Sequence, residues 1–347
     1  MVLGRRVDYL SPTFYLTDIL IFLLLLFKFP KLRITAATLG VLLFIAINIY
    51  FAASPWVAAY KWLKVLEYIL LGLYIIQTKP KFSSVIFLLS IGVLYSSAIA
   101  IGQFLLQHSL GGPLWFLGER TFSADTPGIA RTSLWGREVL RPYATFPHPN
   151  VLGGFLAIIL PVAVREWKNR KIFYSATILL GIAALLLTFS RSAWIVAIVG
   201  GIFVAPKKKF FIPLLMTVAV IIFFIIGSFG FQDESVVVRQ QLNTSAITMF
   251  GQSPIIGKGL GNFLVNLPQT LSSRQIYFLQ PVHNMYLLIL AEAGIVGFAI
   301  FLWILWKARK HWVILLIFFL GLVDHYFLTL QQGQLLLTIL LACTIVL

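Results

Sequence analysis

Charge is scarce in this chain: Asp, Glu, Lys and Arg together make up 11% of its 347 residues, against 60% apolar residues. A soluble domain of this length needs a far larger polar surface, so most of its solvent must be lipid. There is one cysteine, Cys343, in the last apolar run, which excludes an intrachain disulfide and a thiolate metal site. Acidic residues number 11 against 27 basic ones. No His/Asp/Glu cluster has convincing metal-ligand spacing, and no Asp-x-Asp pair marks a nucleotide-sugar transferase that needs a divalent ion. The expectation is therefore no metal and no cofactor. The first apolar run lacks a small-residue cleavage site and reads as a retained span, and no low-complexity segment, soluble domain or internal repeat stands out. The glycines of SPIIGKGLGNF (Gly257, Gly259, Gly261) follow no strand and lack P-loop spacing, so they read as a tight turn and not a nucleotide site.

What fills the chain instead is runs of about twenty Leu, Ile, Phe and Val residues, the length a helix needs to cross a bilayer. In hydrocarbon the backbone must bond to itself, and uninterrupted runs fit helices, not alternating barrel strands. The predicted fold is an all-α polytopic membrane protein, a single integral membrane domain over 1–347 with about eleven spans. These lie at 10–28, 34–52, 57–76, 82–105, 150–164, 172–189, 192–205, 210–230, 284–306, 312–328 and 334–347. The excess of 16 positive charges sits largely in short clusters between spans: Lys28 to Arg33, Lys79 and Lys81, Arg165 to Lys171, Lys207 to Lys209, and Lys307 to Lys310. Such clusters face the cytoplasm and signal topology, not nucleic acid. Arg5 and Arg6 conflict with that orientation; either the first run does not span fully or a helix that should precede it is missing. The count leaves two long segments outside, 106–149 and 231–283, and segments of that size are usually functional or disordered. Both contain aromatic and apolar residues, which favours partial folding against the membrane. VVVRQQLNTSAITMF (236–250) fits an amphipathic interfacial helix with Leu242, Ala246, Met249 and Phe250 on one side and Arg239 and Asn243 on the other.

Three outward arginines carry the strongest chemical signal. Arg141 opens RPYATFPHPN, Arg191 sits in TFSRSAW at a sharp turn between two spans, and Arg239 belongs to the second long segment. Outward arginines can simply snorkel to lipid phosphates. Arg191 resists that reading, because Gly, Ser or Asn would make such a turn at lower cost; a guanidinium held there more plausibly points at an anion. His283 is placed in the first turn of a span, where the positive end of the helix dipole favours a neutral imidazole able to accept a hydroxyl proton. The plainer alternative is that it caps the helix. His148, before Pro149 and Asn150, reads as part of a cap. Glu292 reads as a structural acid facing the bundle with Met285, Lys61, Lys64 and Glu67 as pairing along one helix face, and Ala291, Gly294 and Gly297 as close helix packing. Asp324 and His325 fall near the outer end of the tenth span.

Together these segments resemble the O-antigen ligase and O-antigen polymerase family of bacterial envelope glycan transferases. The resemblance rests on RPYATFPHPNVLGG (141–154), LLLTFSRSAW (185–194), Arg239 through SPIIGKGLGNF, PVHNMYLLILAEAGIVG (281–297) and DHYFLTLQQGQ (324–334), in that order, and covers about 80–347. At the N-terminus relatives usually carry another span, in line with the charge conflict there. The resemblance implies a metal-independent transferase at the outer face of the inner membrane. Its donor would be an undecaprenyl-diphosphate-linked glycan and its acceptor a lipid, glycan or protein hydroxyl, with membrane lipid as surroundings and no nucleic acid. Arg191 and Arg239 would hold the diphosphate and His283 would act as base, these three being the catalytic set. Arg141, His148, Asn150, Asn284, Asp324 and His325 would contribute to substrate binding. Ligase and polymerase remain open alternatives. A polysaccharide transporter would call for inverted repeats and paired broken helices, which the sequence does not display.

Overall fold

The computed structural model describes residues 8–204, 234–271 and 279–346, and among them the chain is mostly helical. The helices are α1 (Leu16–Phe27), α2 (Ala36–Tyr50), α3 (Pro55–Thr78), α4 (Phe82–Leu106), α5 (Pro113–Phe116), α6 (Pro149–Glu166), α7 (Lys171–Leu187) and α8 (Arg191–Val204). Past 204 come α9 (Glu234–Gln252), α10 (Phe263–Thr270), α11 (Met285–Ala308), α12 (Trp312–Gly321), α13 (Tyr326–Thr329) and α14 (Gln331–Val346). Helices thus stand at ten of the eleven expected spans; the eighth, 210–230, lies outside the described residues, as do Lys207 to Lys209, Arg5 and Arg6. Among the described residues, three helices are long and apolar enough to cross a membrane: α4, α6 with its short 3-10 extension to Asn169, and α11. Six more, α1, α2, α7, α8, α12 and α14, are apolar but have 10–17 residues. Large apolar side chains such as Phe27, Trp56, Ile172 and Trp303 stand exposed, as lipid-facing surface requires and water would penalise. The protein is an integral membrane protein.

One element departs from the all-α expectation. Arg131–Leu134 and Arg137–Leu140 form an antiparallel hairpin, β1 and β2, pairing Arg131 with Leu140 and Leu134 with Arg137. Its turn is Trp135–Gly136, both at positive φ (48° and 78°), the two-residue geometry whose twist matches the strands. The hairpin exists because this segment is folded. Leu140, Phe122, Ile129 and Tyr143 make a small apolar core beneath it. The buried Gln103 of α4 accepts the Tyr143 and Ala144 N–H groups and donates to Glu119. Glu119 in turn accepts from the Leu110 and Gly111 N–H groups at 2.6 and 2.8 Å. A polar loop in a mostly apolar chain satisfies its backbone this way.

The described chain divides into two compact units. Unit 2 comprises 80–232 and 315–320. Its centre is α6, whose Leu152, Leu156, Ala157, Ile158 and Ile159 are fully buried. Small residues allow the approach: a side chain at Gly153 would meet Ala193, Ser190 and Thr188 at 3.0–3.1 Å. Unit 1 comprises 1–79, 233–314 and 321–347. In it α3 packs on α14 and α9 on α11, with Leu242, Met249, Leu264, Val282 and Leu288 in one apolar cluster. The segment 236–250 is helical within α9, with Leu242, Ala246 and Met249 buried on one side. Lys64 lies between Asp18 (2.6 Å) and Glu67 (3.0 Å), and Gln331 donates to Asp18, tying α1, α3 and α14 together. A buried ammonium between two carboxylates satisfies the rule that intramembrane charges pair. Lys61 takes no part in that pairing, contrary to expectation.

Of the α11 glycines, Gly297 makes the helix–helix contact expected, 3.4 Å from Phe44 of α2 for an added side chain, whereas Gly294 packs differently. Gly294 sits at φ 62°, ψ −166° and kinks α11. Its neighbours are the backbone of Ile255 and Gly257, close enough that any side chain would come within 2.4–2.7 Å. The loop therefore bonds into the kink, Ile295 N–H to Pro254 O (2.8 Å), Lys258 N–H to Ala291 O (2.9 Å) and Gly259 N–H to Glu292 O (2.9 Å). The glycine turn read from 257–261 is real, and its partner is the broken helix.

Candidate active site

Unit 1 assembles the candidate chemistry at the start of α11. The helix begins at Met285, one residue later than the sequence implied, with Asn284 as N-cap: its side-chain oxygen accepts from the Tyr286 and Leu287 N–H groups. His283 therefore precedes the cap and does not lie in the first turn. Asn284, expected among the substrate contacts, spends its side chain on the helix end. Val282 is fully buried in the apolar cluster, and Asn284 N–H closes onto Val282 O at 2.8 Å. His283 is thus held between an apolar plug and a cap, with its ring left for other partners.

The partners come from the end of α12. That helix stops at Gly321, whose missing side chain makes room for Met285, so the expected span to 328 is interrupted and Asp324 and His325 lie beyond it. Asp324 accepts the His325 N–H at 2.8 Å. Its Oδ1 lies 3.8 Å from His283 Nδ1, which is itself buried without a hydrogen bond. His283 Nε2 is 3.3 Å from Gln280 Oε1. The His283 and His325 rings are 5.2 Å apart, His325 Nδ1 meets Thr329 Oγ1 at 2.7 Å, and Tyr9 stands edge-on to His325. Arg239, half-buried on α9, is near enough for its charge to act on His325.

The electrostatics follow from burial. Burial, opposed by the Asp324 carboxylate and assisted by the neighbouring His283 and Arg239, pushes the His325 imidazole down to about 4. Burial works against ionisation of Asp324, yet His283 and the His325 charge and N–H outweigh it and hold that carboxyl below its ordinary value. An Asp324 carboxylate thus faces His283 Nδ1 at 3.8 Å, while Nε2 lies on the Gln280 side of the ring.

His283, Asp324 and His325 also offer three ligand atoms within 4.8 Å of one another. Two ligands of a tetrahedral zinc stand roughly 3.3 Å apart, given bonds of about 2 Å. The 3.8 Å His283–Asp324 separation is wider than that, and the Arg239 guanidinium repels a dication.

Unit 2 carries the other candidates in a different state. Arg141 donates from Nε to Thr188 O (2.7 Å) and from Nη2 to Asn150 Oδ1 (2.6 Å). His148 is the N-cap of α6, its Nδ1 accepting from Asn150 N–H at 3.1 Å. Arg191 is the first residue of α8 and is exposed, after a turn in which Phe189 takes φ 50°. The structure thus brings Arg239, His283, Asp324 and His325 into one neighbourhood of unit 1, and Arg141, His148 and Asn150 into one of unit 2. Sequence reasoning missed the Gln280 and Thr329 contacts, which carry no motif. It also left the partners of Glu292 open: they are the Gly261 and Phe263 N–H groups, at 2.8 and 3.0 Å.

Fold and site define the class first: an integral membrane protein with an imidazole–carboxylate unit and a guanidinium gathered at a helix start. Comparison with known proteins adds a likeness to a family over part of the chain. The O-antigen ligase family model matches residues 176–302, bearing out the resemblance read from the motifs. The matched segment contains Arg191, Arg239, His283 and Asn284 and ends before Asp324 and His325. No curated protein matches the chain.

Proposed function

We propose that this protein transfers an undecaprenyl-diphosphate-linked glycan to an acceptor hydroxyl at the outer face of the bacterial inner membrane. The observation that carries the reading is the His283–Asp324–His325 cluster with Arg239 beside it; the family match supports an O-antigen ligase- or polymerase-like enzyme. His283 Nε2 takes the acceptor proton as the oxygen attacks the anomeric carbon, and the bond from that carbon to the diphosphate breaks, inverting the centre. For this the acceptor hydroxyl displaces Gln280 from Nε2. Asp324 steadies the imidazolium that forms. The departing diphosphate carries concentrated charge, which Arg239 meets with charge-assisted, bidentate hydrogen bonds worth on the order of 1.5–3 kcal/mol each. Arg191 and Arg141 are proposed as further diphosphate ligands, and no metal enters the chemistry. Purified protein given a synthetic diphosphate-linked oligosaccharide and candidate acceptors tests this: transfer by the wild type and none by His283→Ala is expected. Undiminished transfer by that variant at equal protein level ends the assignment. Ligase and polymerase separate in a deletion strain, where free polymer without its anchor indicates ligase and missing polymer indicates polymerase.

A further inference from the structure

Unit 1 holds an open-sided cavity of about 40 Å³ whose walls include Lys61, Gly261, Pro281, Glu292, Thr329 and Gln334. It borders the histidine cluster directly. Pro281 lies two residues before His283, and Thr329 is the hydrogen-bond partner of His325. The geometry points to Lys61 as an anion-binding residue of this cavity, taking phosphoryl oxygens of the substrate.

The lysine stem is built in. Gly261, at φ 72°, lies so close that a side chain there would come within 2.5 Å of Lys61 Cγ, so the turn packs against the stem of a lysine that lines the cavity. The Lys61 ammonium sits 5.5 Å from the Tyr60 ring centroid and, among the described residues, has no hydrogen bond or ion pair. Its neighbour Lys64 is saturated by two carboxylates. The acid in the same cavity, Glu292, has its oxygens engaged by the Gly261 and Phe263 N–H groups. An ammonium has three donors and no acceptor capacity, and a half-buried one whose donors no side chain or carbonyl uses is a site for oxygen ligands carrying negative charge. The cavity has room for more than a single water, enough to receive the oxygens of a phosphoryl group.

The source of those oxygens is either the donor's diphosphate or a phosphate on the acceptor lipid, and in both cases the inference rests on the transferase reading above. The rival explanation is that Lys61 only balances the charge of Glu292.

The test uses full-length protein in nanodiscs, titrated calorimetrically with inorganic pyrophosphate. Lys61→Met should weaken binding at least about tenfold, the loss expected for one charge-assisted contact, while Lys61→Arg stays within about threefold of wild type. The double variant Lys61→Met/Glu292→Gln restores charge balance. It should fold normally yet still bind weakly, and it carries the test should Lys61→Met alone not fold. Equal binding by wild type and a folded Lys61→Met or double variant, or no wild-type binding at millimolar pyrophosphate, overturns the inference. In transfer assays a rise in KM confined to the diphosphate-linked oligosaccharide assigns the contact to the donor, and one confined to the acceptor assigns it there; no rise in either overturns it. Lys61-dependent pyrophosphate binding in a wild type that transfers no glycan would sustain this inference and end the transferase reading. Normal transfer with Lys61→Met unimpaired in both assays would do the reverse.

Discussion

Two histidines in this molecule occupy nearly the same sequence position relative to a helix and are used in opposite ways. His148 stands in PHPN and His283 in PVHN, each followed within two residues by an asparagine at a helix start. In the first, Pro149 takes the first helical position, where its missing N–H costs nothing, and the next free N–H, that of Asn150, goes to the His148 ring. The asparagine side chain is left to receive Arg141. In the second there is no intervening proline, so Asn284 itself becomes the cap and His283 is pushed outside the helix. One residue of spacing decides whether an imidazole is consumed by the backbone or released to face a carboxylate. The same contrast holds for the charges nearby. Arg141 is fastened by a carbonyl and an amide, whereas His283 Nδ1 has only a carboxylate oxygen at 3.8 Å.

The largest expected effect follows directly. His283→Ala should cost glycan transfer on the order of 10²–10⁴-fold, the range for losing a general base. His148→Ala should leave the chemical step intact and cost about 1 kcal/mol of helix capping. Transfer assays beside melting curves separate the two, and equal catalytic losses would erase the contrast. A second effect is pH dependence. His325 is depressed to about 4, from an unfolded value near 6.5. The unfolded chain therefore binds the extra proton between those values and the folded one does not. Stability should be complete above about pH 6.5 and fall as pH drops towards 4, by roughly 3 kcal/mol at the foot of the window. Below that, Asp324, held under its ordinary value, adds a further loss as it protonates. His325→Gln should flatten the melting temperature between pH 6.5 and 4.5, and an unchanged slope in that variant would place the titration elsewhere.

Much of this is legible in the residues alone. The apolar runs announce the helices, because nothing else satisfies a backbone in lipid, and the 236–250 pattern marks the buried face of α9. The glycine turn at 257–261 is identifiable from its residues, but not that Gly294 breaks α11 to receive it, since the pairing joins segments more than thirty residues apart. The hairpin at 131–140 escapes such a reading: its strands have four residues each, and its turn uses Trp135 at positive φ, where Asn or Asp is the usual signal. For the site, the motifs point to His283, Arg239, Asp324 and His325. They do not reveal that Asp324 faces His283, because that depends on where α12 ends, and Gly321 looks like any other apolar-run glycine until Met285 is seen packed on it.

A third prediction concerns fastening in unit 2. Arg141→Lys keeps the charge but cannot span Thr188 O and Asn150 Oδ1 at once, and each charge-assisted bond is worth roughly 1.5–3 kcal/mol. The melting temperature should fall by several degrees. Arg191→Lys, at an exposed helix start, should move it by less than a degree or two while raising the KM for the donor. A Lys at 191 that destabilises as much as one at 141 would mean that the protein fastens Arg191 as firmly as it does Arg141.

The smallest effect isolates the capping choice itself. Asn284→Ala removes the oxygen that serves the Tyr286 and Leu287 N–H groups and should cost about 1 kcal/mol, whereas Asn284→Ser keeps an acceptor and should recover most of it. Because the cap fixes the residue before it, activity should follow stability: reduced in Asn284→Ala through a misplaced His283 and largely restored in Asn284→Ser. Asn150→Ala provides the counterpart in unit 2, since its side chain holds Arg141 and not the helix end, so Asn150→Ser should fail to rescue it. If serine rescues at 150 as well as at 284, the two asparagines do the same job, and the one-residue difference between PHPN and PVHN does not control which histidine is free.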